Sequence, residues 1–325
     1  MFKKVAIASI AALALIASFY VIKKSPNKKN IVAITQIAPH PSLDRIREGI
    51  IDTLKTSKHN DVEIIFQNAQ GNIATATQIA QRFVSLKPSV IVPITTPSAQ
   101  TAYAAAATKE IPIVFVAVTD PVEARLASAN GLNIPFVTGV TDAPPYSEQV
   151  KQMQKVLKKK ALTIGVIYNP GEANSLSQIT KIEREIKASG GSVILSAAAS
   201  TAVVSQATAY LIDKIDAIYL PNDNTVVSAL TSVLKITQEH KIPVFSSDPE
   251  SVERGCTAAV APDQYEIGKQ AGKIIVRLLN GEKTDTIPIE KSTKISEYVN
   301  KNVGSHMALG SPQHQQKMHI NIINH

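Results

Sequence analysis

The chain has 325 residues, of which 44% are hydrophobic, and its formal net charge is +8. This length is enough for two lobes of ordinary size, each with its own hydrophobic core. The single cysteine, Cys256, excludes an internal disulfide and a metal cluster held by several cysteines. We expect Cys256 to be a small buried hydrophobic residue, and we expect neither a metal nor a cofactor.

The positive charge is concentrated near the two ends of the chain. When five lysines near the ends are left out, 29 of the 34 basic residues remain, and the sequence has 26 acidic ones. These five residues are Lys3, Lys4, Lys23, Lys24 and Lys317. The rest of the sequence has no basic stripe interleaved with aromatic residues, so we expect no nucleic-acid partner.

Residues 1–24 are predicted to be a targeting segment. Lys3 and Lys4 precede an apolar run, Val5–Ile22, whose length lies between a signal-peptide core and a minimal membrane-spanning helix. No well-placed cleavage site and no cysteine for lipid attachment follow it, which favours an uncleaved membrane anchor over a removed signal peptide. Either form places the body on the periplasmic or extracellular face of the membrane. Residues 25–30 are a predicted polar linker.

Between the ends, short β-rich runs alternate with longer helical ones, and this alternation occurs twice. Continuous runs of valine and isoleucine are typical of parallel strands that are buried on both faces. In the first half, the predicted strands are Ile31–Ile37, Val62–Gln67, Ser89–Ile94 and Ile111–Val118, and the predicted helices are Pro41–Lys55, Ile73–Leu86 and Ser98–Thr108. In the second half, the predicted strands are Thr163–Tyr168, Ser192–Ala197, Ala217–Leu220 and Pro243–Ser246, and the predicted helices are Ser175–Ser189, Thr201–Lys214 and Thr225–His240.

This repeated alternation predicts an α/β protein with two doubly wound parallel-sheet lobes joined by a hinge. Gly131–Pro145 is the predicted first crossing between the lobes, and a second is expected near Ser246–Asp248. The helix Gln264–Leu279 is expected to return to the first lobe, whose last strand position is otherwise unfilled. Lobe 1 is therefore assigned residues 31–140 and about 249–280, and lobe 2 residues 141–248 and about 281–303. Residues 304–325 begin with a sequence that looks like a cloning scar and are left out of both lobes.

Polar turns follow several of the predicted strands. In parallel α/β sheets, ligands bind outside the carboxyl ends of the strands, and in a two-lobed protein these ends can face each other across a cleft. Thr96 and Ser98 offer hydroxyls at a helix start, which suits a carboxylate, while Asp223 or Asp248 can pair with an ammonium. The candidate ligand-binding residues are Gln36, Ser42, Leu43, Thr96, Pro97, Ser98, Thr119, Asp120, Tyr168, Asn169, Glu172, Ala173, Asn174, Ser175, Asn222, Asp223, Asn224 and Asp248.

Each candidate also has a purely structural explanation. Ser42 and Ser98 are ordinary helix N-caps, Asp120 and Asp248 precede proline as Asx-turn residues do, and Glu172 complements a helix dipole. Ligand binding is favoured because all these turns are predicted on one side of the two sheets.

Catalysis is not expected. The sequence contains no Walker or dinucleotide-binding glycine loop and no Gly-x-Ser-x-Gly nucleophile motif. His40 is a possible general base, but no motif ties a serine or cysteine nucleophile to it.

Several motifs together resemble the substrate-binding proteins of ABC transporters, specifically the tryptophan or aromatic-amino-acid type. They span roughly residues 30–300 and comprise Ile34–Ile37, His40–Asp44, Arg47–Gly49, Ile94–Gln100, Val118–Pro121, Gly139–Asp142, Tyr168–Ser175 and Pro221–Val226. The resemblance implies a type I periplasmic-binding-protein fold that closes around its ligand and delivers it to a permease with its ATPase. It also implies an aromatic or other apolar amino acid as ligand. Gram-positive relatives are usually lipoproteins, whereas this chain lacks the acylated cysteine.

Other functions of the same two-lobed fold stay open. A ligand-sensing ectodomain would need a second membrane segment and a signalling domain, which the sequence does not contain. A LacI-type repressor would begin with a helix-turn-helix in place of the apolar segment. A sugar ligand is disfavoured because the chain has no tryptophan for stacking, and a nucleoside or another small amphiphile is the alternative ligand.

Overall fold

The computed structural model describes residues 29–300 and 320–323, which form two α/β lobes. Lobe 1 begins with β1 (Ile31–Gln36), α1 (Pro41–Lys55), β2 (Glu63–Asn68), α2 (Ile73–Leu86), β3 (Val90–Ile94), α3 (Thr96–Ala106), β4 (Ile113–Val116) and β5 (Val137–Thr141). Lobe 2 follows with α4 (Tyr146–Leu157), β6 (Thr163–Tyr168), α5 (Ala173–Ala188), β7 (Ser192–Ala197), α6 (Val204–Leu211), β8 (Ala217–Leu220), α7 (Asn224–Ser228), α8 (Leu230–Glu239), β9 (Val244–Ser246), α9 (Glu250–Glu253) and β10 (Ala258–Pro262). The chain then adds α10 (Gln264–Leu279) and β11 (Glu290–Lys291) to lobe 1, and β12 (Ile295–Asn300) and β13 (Ile320–Ile323) to lobe 2.

The sheet of lobe 1 has six strands in the order β11-β5-β4-β3-β1-β2, and all its pairings are parallel. The strands β3 and β4 are buried along their whole length, which explains their unbroken apolar sequences. Helices cover the sheet and contribute to one continuous core around Ile34, Ile91 and Phe115. This arrangement confirms the predicted fold class.

The helices α1 and α10 pack against each other through glycine residues. A Cβ atom at Gly268 would lie 2.1 Å from the Ile46 carbonyl oxygen, and one at Gly49 would lie 2.3 Å from the Tyr265 carbonyl oxygen. Because no side chain separates the backbones, the apolar faces of both helices reach the core of lobe 1. The return of residues 264–279 to lobe 1 therefore completes its helical layer.

The sheet of lobe 2 has seven strands in the order β13-β12-β10-β9-β8-β6-β7. The pairing of β12 with β10 is antiparallel, and the other pairings are parallel. Two apolar clusters lie around this sheet, one containing Ile218 and Leu220 and the other Ile164 and Tyr219. The hydroxyl group of the fully buried Tyr219 donates a hydrogen bond to Gln149 Oε1 at 2.9 Å.

The chain crosses between the lobes three times. The first crossing, at residues 142–145, lies within the predicted Gly131–Pro145 segment, but Val137–Thr141 of that segment pairs with β4 and completes the first sheet. The second lies near Asp263 and not at residues 246–248, because β10 pairs with β9 and β12 in lobe 2. Residues 249–262 thus belong to lobe 2, and residues 290–291, assigned to lobe 2, pair with β5 in lobe 1.

Two of the predicted helices are interrupted. The segment Thr201–Lys214 is a short α-helix, α6, flanked by two 3₁₀ turns, and Thr225–His240 divides at Ala229 into α7 and α8. Both segments are helical where a helix was predicted, but neither is one continuous α-helix.

The structure describes only part of the two ends of the chain. The predicted anchor at residues 1–24 lies outside the described residues. In the C-terminal segment 304–325, which was assigned to neither lobe, residues 320–323 form β13 at the edge of the second sheet, beside β12. None of the helices that the structure describes combines the length and the hydropathy needed to span a bilayer.

Candidate functional site

The carboxyl ends of the strands of both lobes face a common cleft, which has a narrow inner part and a wide outer part. The inner cavity has a volume of about 40 Å³. It is lined by His40, Ser42, Leu43, Thr95, Thr96, Ala117, Thr119, Asp142, Asn174, Asn222, Asp223, Asn224, Val227, Asp248 and Gln264. The outer cleft, of about 1290 Å³, shares His40 and Asn224 with the cavity and is therefore continuous with it.

The wall from lobe 1 contains hydroxyl groups without partners. Thr95 and Thr96 line the cavity at the start of α3, and their Oγ1 atoms are buried with no hydrogen-bond partner, as is the Oγ of Ser98. Thr95 precedes the helix with a φ of 80° and makes no side-chain capping bond. A β-branched residue at positive φ is strained, and such strain is commonly found at ligand sites. Hydroxyls beside the positive end of a helix dipole form an environment suited to an anion.

The wall from lobe 2 is built on two acidic residues that hold the turns in place. The Asp223 carboxylate caps α7 by accepting from Val226 N at 2.9 Å, and its other oxygen accepts from Ser175 Oγ at 2.7 Å and from Asn169 N. Burial and the neighbouring charge of Glu172 raise the pKa of Asp223 to about 7. Because both oxygens of Asp223 are occupied by protein donors, its main role is to shape this wall.

Glu172 holds the same wall from the adjacent turn. Its Oε2 accepts from Asn224 N at 3.0 Å and from Asn174 Nδ2 at 3.1 Å, while Oε1 accepts from Thr225 N at 3.1 Å. These bonds fix Asn174, whose Nδ2 also donates to the Asn222 carbonyl at 2.6 Å. The Oδ1 atom of Asn174 is buried without a partner, which leaves an acceptor at the cavity wall.

Asp142 lies between the lobes, directly after β5. It accepts from Thr119 Oγ1 of lobe 1 and from Asn222 Nδ2 of lobe 2, both at 2.9 Å. Burial raises the pKa of Asp142 to about 6, against the effect of these two hydrogen bonds. Asp142 thus links the lobes and, like Asp223, uses both carboxylate oxygens to hold the cavity wall.

A second link between the lobes joins the start of α1 to the turn after β9. The Ser42 hydroxyl contacts Asp248 Oδ1 and lies 2.6 Å from Glu250 Oε2. Asp248 Oδ2 accepts in turn from Ser251 N at 2.9 Å. His40 approaches the same carboxylate, with Nε2 at 3.8 Å from Asp248 Oδ2. Burial lowers the pKa of His40, so this ring is neutral near pH 7.

A third link lies outside the cavity. Asp120 Oδ2 accepts from Ser177 Oγ at 2.9 Å and from Lys181 Nζ at 2.6 Å, both on α5 of lobe 2. This ion pair lowers the pKa of Asp120 despite its partial burial. Asp120 therefore connects the lobes and does not reach the cavity.

The structure brings together half of the eighteen predicted residues at the inner cavity, namely Ser42, Leu43, Thr96, Thr119, Asn174, Asn222, Asp223, Asn224 and Asp248. Pro97, Asn169 and Glu172 line the outer cleft. The remaining six, Gln36, Ser98, Asp120, Tyr168, Ala173 and Ser175, line neither. Gln36 instead lies beneath α1, where its amide donates to Asp44 Oδ1 at 3.2 Å and accepts from Arg47 at 3.0 Å.

Sequence reasoning missed six residues of the inner cavity: His40, Thr95, Ala117, Asp142, Val227 and Gln264. Thr95 and Asp142 belong to motifs that carry the family resemblance, so that signal was available. Ala117 follows β4 with a φ of 54°, and the sequence does not predict this conformation for an alanine. Gln264 reaches the cavity only because α10 returns to lobe 1, and its position depends on the second crossing.

Comparison with known proteins gives a consistent result. Residues 31–313 match a family described as "ABC transporter substrate binding protein". A tyrosine-binding protein of Clostridioides difficile is 38% identical over 271 residues, which cover 82% of this chain and 78% of that protein. The structure is similar to an ABC domain in complex with L-Trp from Streptococcus pneumonia, with a TM-score of 0.83, 30% identity, and coverage of 90% of this chain and 100% of the other. It is also similar to a ligand-free, open substrate-binding protein with adhesive properties from Clostridium difficile, with a TM-score of 0.69, 33% identity, and coverage of 90% and 99%.

Proposed function

Since the chain belongs to the ABC transporter substrate-binding protein family, we propose that it is the exported solute-binding component of an ABC importer. It captures an aromatic or apolar amino acid between its lobes, releases it unchanged to the permease with its ATPase, and catalyses no reaction. The residues that line the inner cavity are the proposed binding residues.

The observation that carries this proposal is the pattern of unpaired polar atoms around the cavity. Lobe 1 offers unpaired hydroxyls at Thr95 and Thr96 beside a helix N-terminus, whereas lobe 2 offers the unpaired acceptor of Asn174. The buried carboxyl group of Asp142 lines the same cavity. A buried polar atom without a partner costs about 1–3 kcal/mol, so a ligand that pairs these atoms is bound favourably. An α-amino acid zwitterion provides a carboxylate for the first wall and an ammonium for the second.

The preference for an apolar side chain is supported by the rest of the lining. Leu43, Ala117 and Val227 are buried apolar residues of the cavity. The names of two relatives agree with it, because one is a tyrosine-binding protein and another is in complex with L-Trp.

Closure of the cleft is supported by the links between the lobes at Ser42, Asp120 and Asp142. The TM-score is 0.83 with the L-Trp complex but 0.69 with the open, ligand-free protein, although the latter is slightly more identical in sequence. A rotation of one lobe lowers such a score without changing the fold of either lobe. These comparisons support the proposal that the present arrangement is a closed form, from which the lobes must part to admit a ligand.

The test is a thermal-stability screen of the protein against amino acids, sugars and nucleosides. A ligand at one hundred times its dissociation constant adds about 2.7 kcal/mol of stability, which shifts the melting temperature clearly. We expect a shift with L-Tyr, L-Trp or L-Phe, and a much smaller one with phenethylamine, which lacks the carboxylate, and with phenylpropionate, which lacks the ammonium. A shift with nucleosides or sugars alone would contradict the amino-acid proposal.

A further inference from the structure

One hydroxyl group lies between two carboxyl groups at the junction of the lobes. Ser42, at the start of α1 in lobe 1, contacts Asp248 Oδ1 and lies 2.6 Å from Glu250 Oε2, and both acidic residues belong to lobe 2. Asp248 is only 5% exposed, and Glu250 is partly buried. The three side chains therefore form a chain of three oxygen atoms that spans the cleft.

The number of protons in this chain is fixed by its chemistry. A serine hydroxyl has a single proton, so it can donate to one of the two carboxyl groups but not to both. The second contact is a hydrogen bond only if that carboxyl is protonated and donates to the serine oxygen. We infer that closure of the cleft takes up one proton at the Asp248–Glu250 pair, so that a rise in pH opens the protein. This inference rests on the proposed function, in which the lobes part and close.

No direct ion pair neutralises these two carboxyl groups in the described part of the chain. In residues 29–300, no lysine or arginine forms an ion pair with Asp248 or Glu250. His40 accepts from Ser42 N through Nδ1 at 3.1 Å, which places its proton on Nε2, and the ring is neutral. The titratable and charged groups that face the pair are His40 before α1, Asp44 on α1, Asp142 after β5, Glu253 and Arg254 from the segment of α9, Cys256, and Tyr298 from β12.

The electrostatics of Glu250 agree with proton uptake. Burial and the charge of Asp248 raise the pKa of Glu250 to about 8, from an ordinary value of 4.5. When the lobes part, water reaches the two carboxyls and the pKa of Glu250 falls toward that ordinary value. Between these pKa values the closed form binds more protons than the open form, so the equilibrium constant for closure falls by up to about tenfold per pH unit. Above about pH 8 both forms are ionised, and the dependence levels off.

The experiment measures the width of the ligand-free cleft against pH. The replacements Gln81→Cys and Thr201→Cys place spin labels on opposite lobes at the outer cleft, and the only native cysteine, Cys256, is fully buried and does not compete for label. Distances between the labels are measured in the full chain by double electron–electron resonance from pH 5.5 to 8.5. We expect the population with the short distance between labels to dominate at pH 5.5. The ratio of the long-distance to the short-distance population should be at least tenfold higher at pH 8.5.

Three variants separate this proposal from its alternatives. Glu250→Gln carries no ionisable group and is expected to abolish most of the pH response, whereas Glu239→Gln, an exposed site on α8 of the same lobe, is expected to leave it intact. Ser42→Ala changes only lobe 1 and is expected to favour the long distance even at pH 5.5. A distance distribution that does not change with pH would overturn the proposal, as would a normal response in Glu250→Gln or Ser42→Ala. Because no ligand is present, these outcomes are independent of the ligand screen.

Discussion

A buried hydroxyl group without a partner destabilises a fold, and the wall of lobe 1 contains such groups at Thr95, Thr96 and Ser98. Two of them line the cavity at the start of α3. Groups of this kind persist where they serve a ligand, since the cost to the free protein is recovered when the complex forms. A substitution that removes one of these hydroxyl groups is therefore expected to stabilise the free protein and to weaken ligand binding.

Replacing Thr96 with valine tests this opposition. Thr96→Val removes an unpaired hydroxyl at nearly constant volume, so the melting temperature should be unchanged or higher, while affinity for the amino acid found in the screen should fall about tenfold. Thr208→Val is the matched control, because the Thr208 hydroxyl is also buried but donates to the Val204 carbonyl at 2.8 Å. That control should lower the melting temperature and leave affinity unchanged. Loss of stability in Thr96→Val without loss of affinity would contradict the proposed carboxylate site.

Individual residues of the site were only partly predictable from the sequence. The capping role of Asp223 follows from its position before α7, but its bonds to Asn169 and Ser175 join turns that lie about fifty residues away. Asp120 precedes proline as an Asx residue does, yet its partner Lys181 lies in the other lobe. Sequence spacing identifies local capping bonds, whereas the pairing of distant turns depends on how the lobes meet.

Among the elements, the contact between α1 and α10 depends on glycine. Gly268→Ala would by itself favour the helix, because alanine is the better helix former by about 1 kcal/mol. Its Cβ atom, however, would lie 2.1 Å from the Ile46 carbonyl oxygen, so the helices would have to move apart. We expect a net loss of about 1–3 kcal/mol in the free energy of unfolding, measured by urea titration. Lys273→Ala, at an exposed position of the same helix, should change it little; similar losses in both variants would contradict this packing argument.

Helices and strands were predicted correctly where the local sequence has a strong hydrophobic pattern. Strands such as Val90–Ile94 carry unbroken apolar runs and were predicted within one residue. β5 was predicted as hinge because its sequence, with Gly139 at its centre, lies between glycine- and proline-rich turns. β10, Ala258–Pro262, is composed of small residues and ends in proline, so its β propensity is low and only its pairing in the sheet defines it. The missed strand explains the misplaced second crossing.

For the whole molecule, the ion pair between Asp120 and Lys181 should favour the closed form. Such partly exposed pairs contribute about 0.2–1 kcal/mol, so Lys181→Met should weaken ligand binding about 1.4- to fivefold, mainly through faster dissociation. The effect should shrink at 1 M salt, because screening weakens the pair in the unmodified protein. The control is Lys187→Met on the same helix, since Lys187 pairs with Glu183 within lobe 2 and not across the cleft. Isothermal titration at two salt concentrations decides between the outcomes, and equal effects of both variants would exclude a role in closure.

The three crossings between the lobes also determine when the chain can fold during its synthesis. Lobe 1 receives α10 and β11 only after most of lobe 2 has been made, and lobe 2 receives β12 and β13 last of all. Until residues 264–279 emerge from the ribosome, the glycine face of α1 has no partner, so the first 140 residues cannot bury their full core. A chain that reaches its stable fold only near the end of synthesis remains unfolded longer, and an unfolded chain is the form that can be threaded through a narrow export channel.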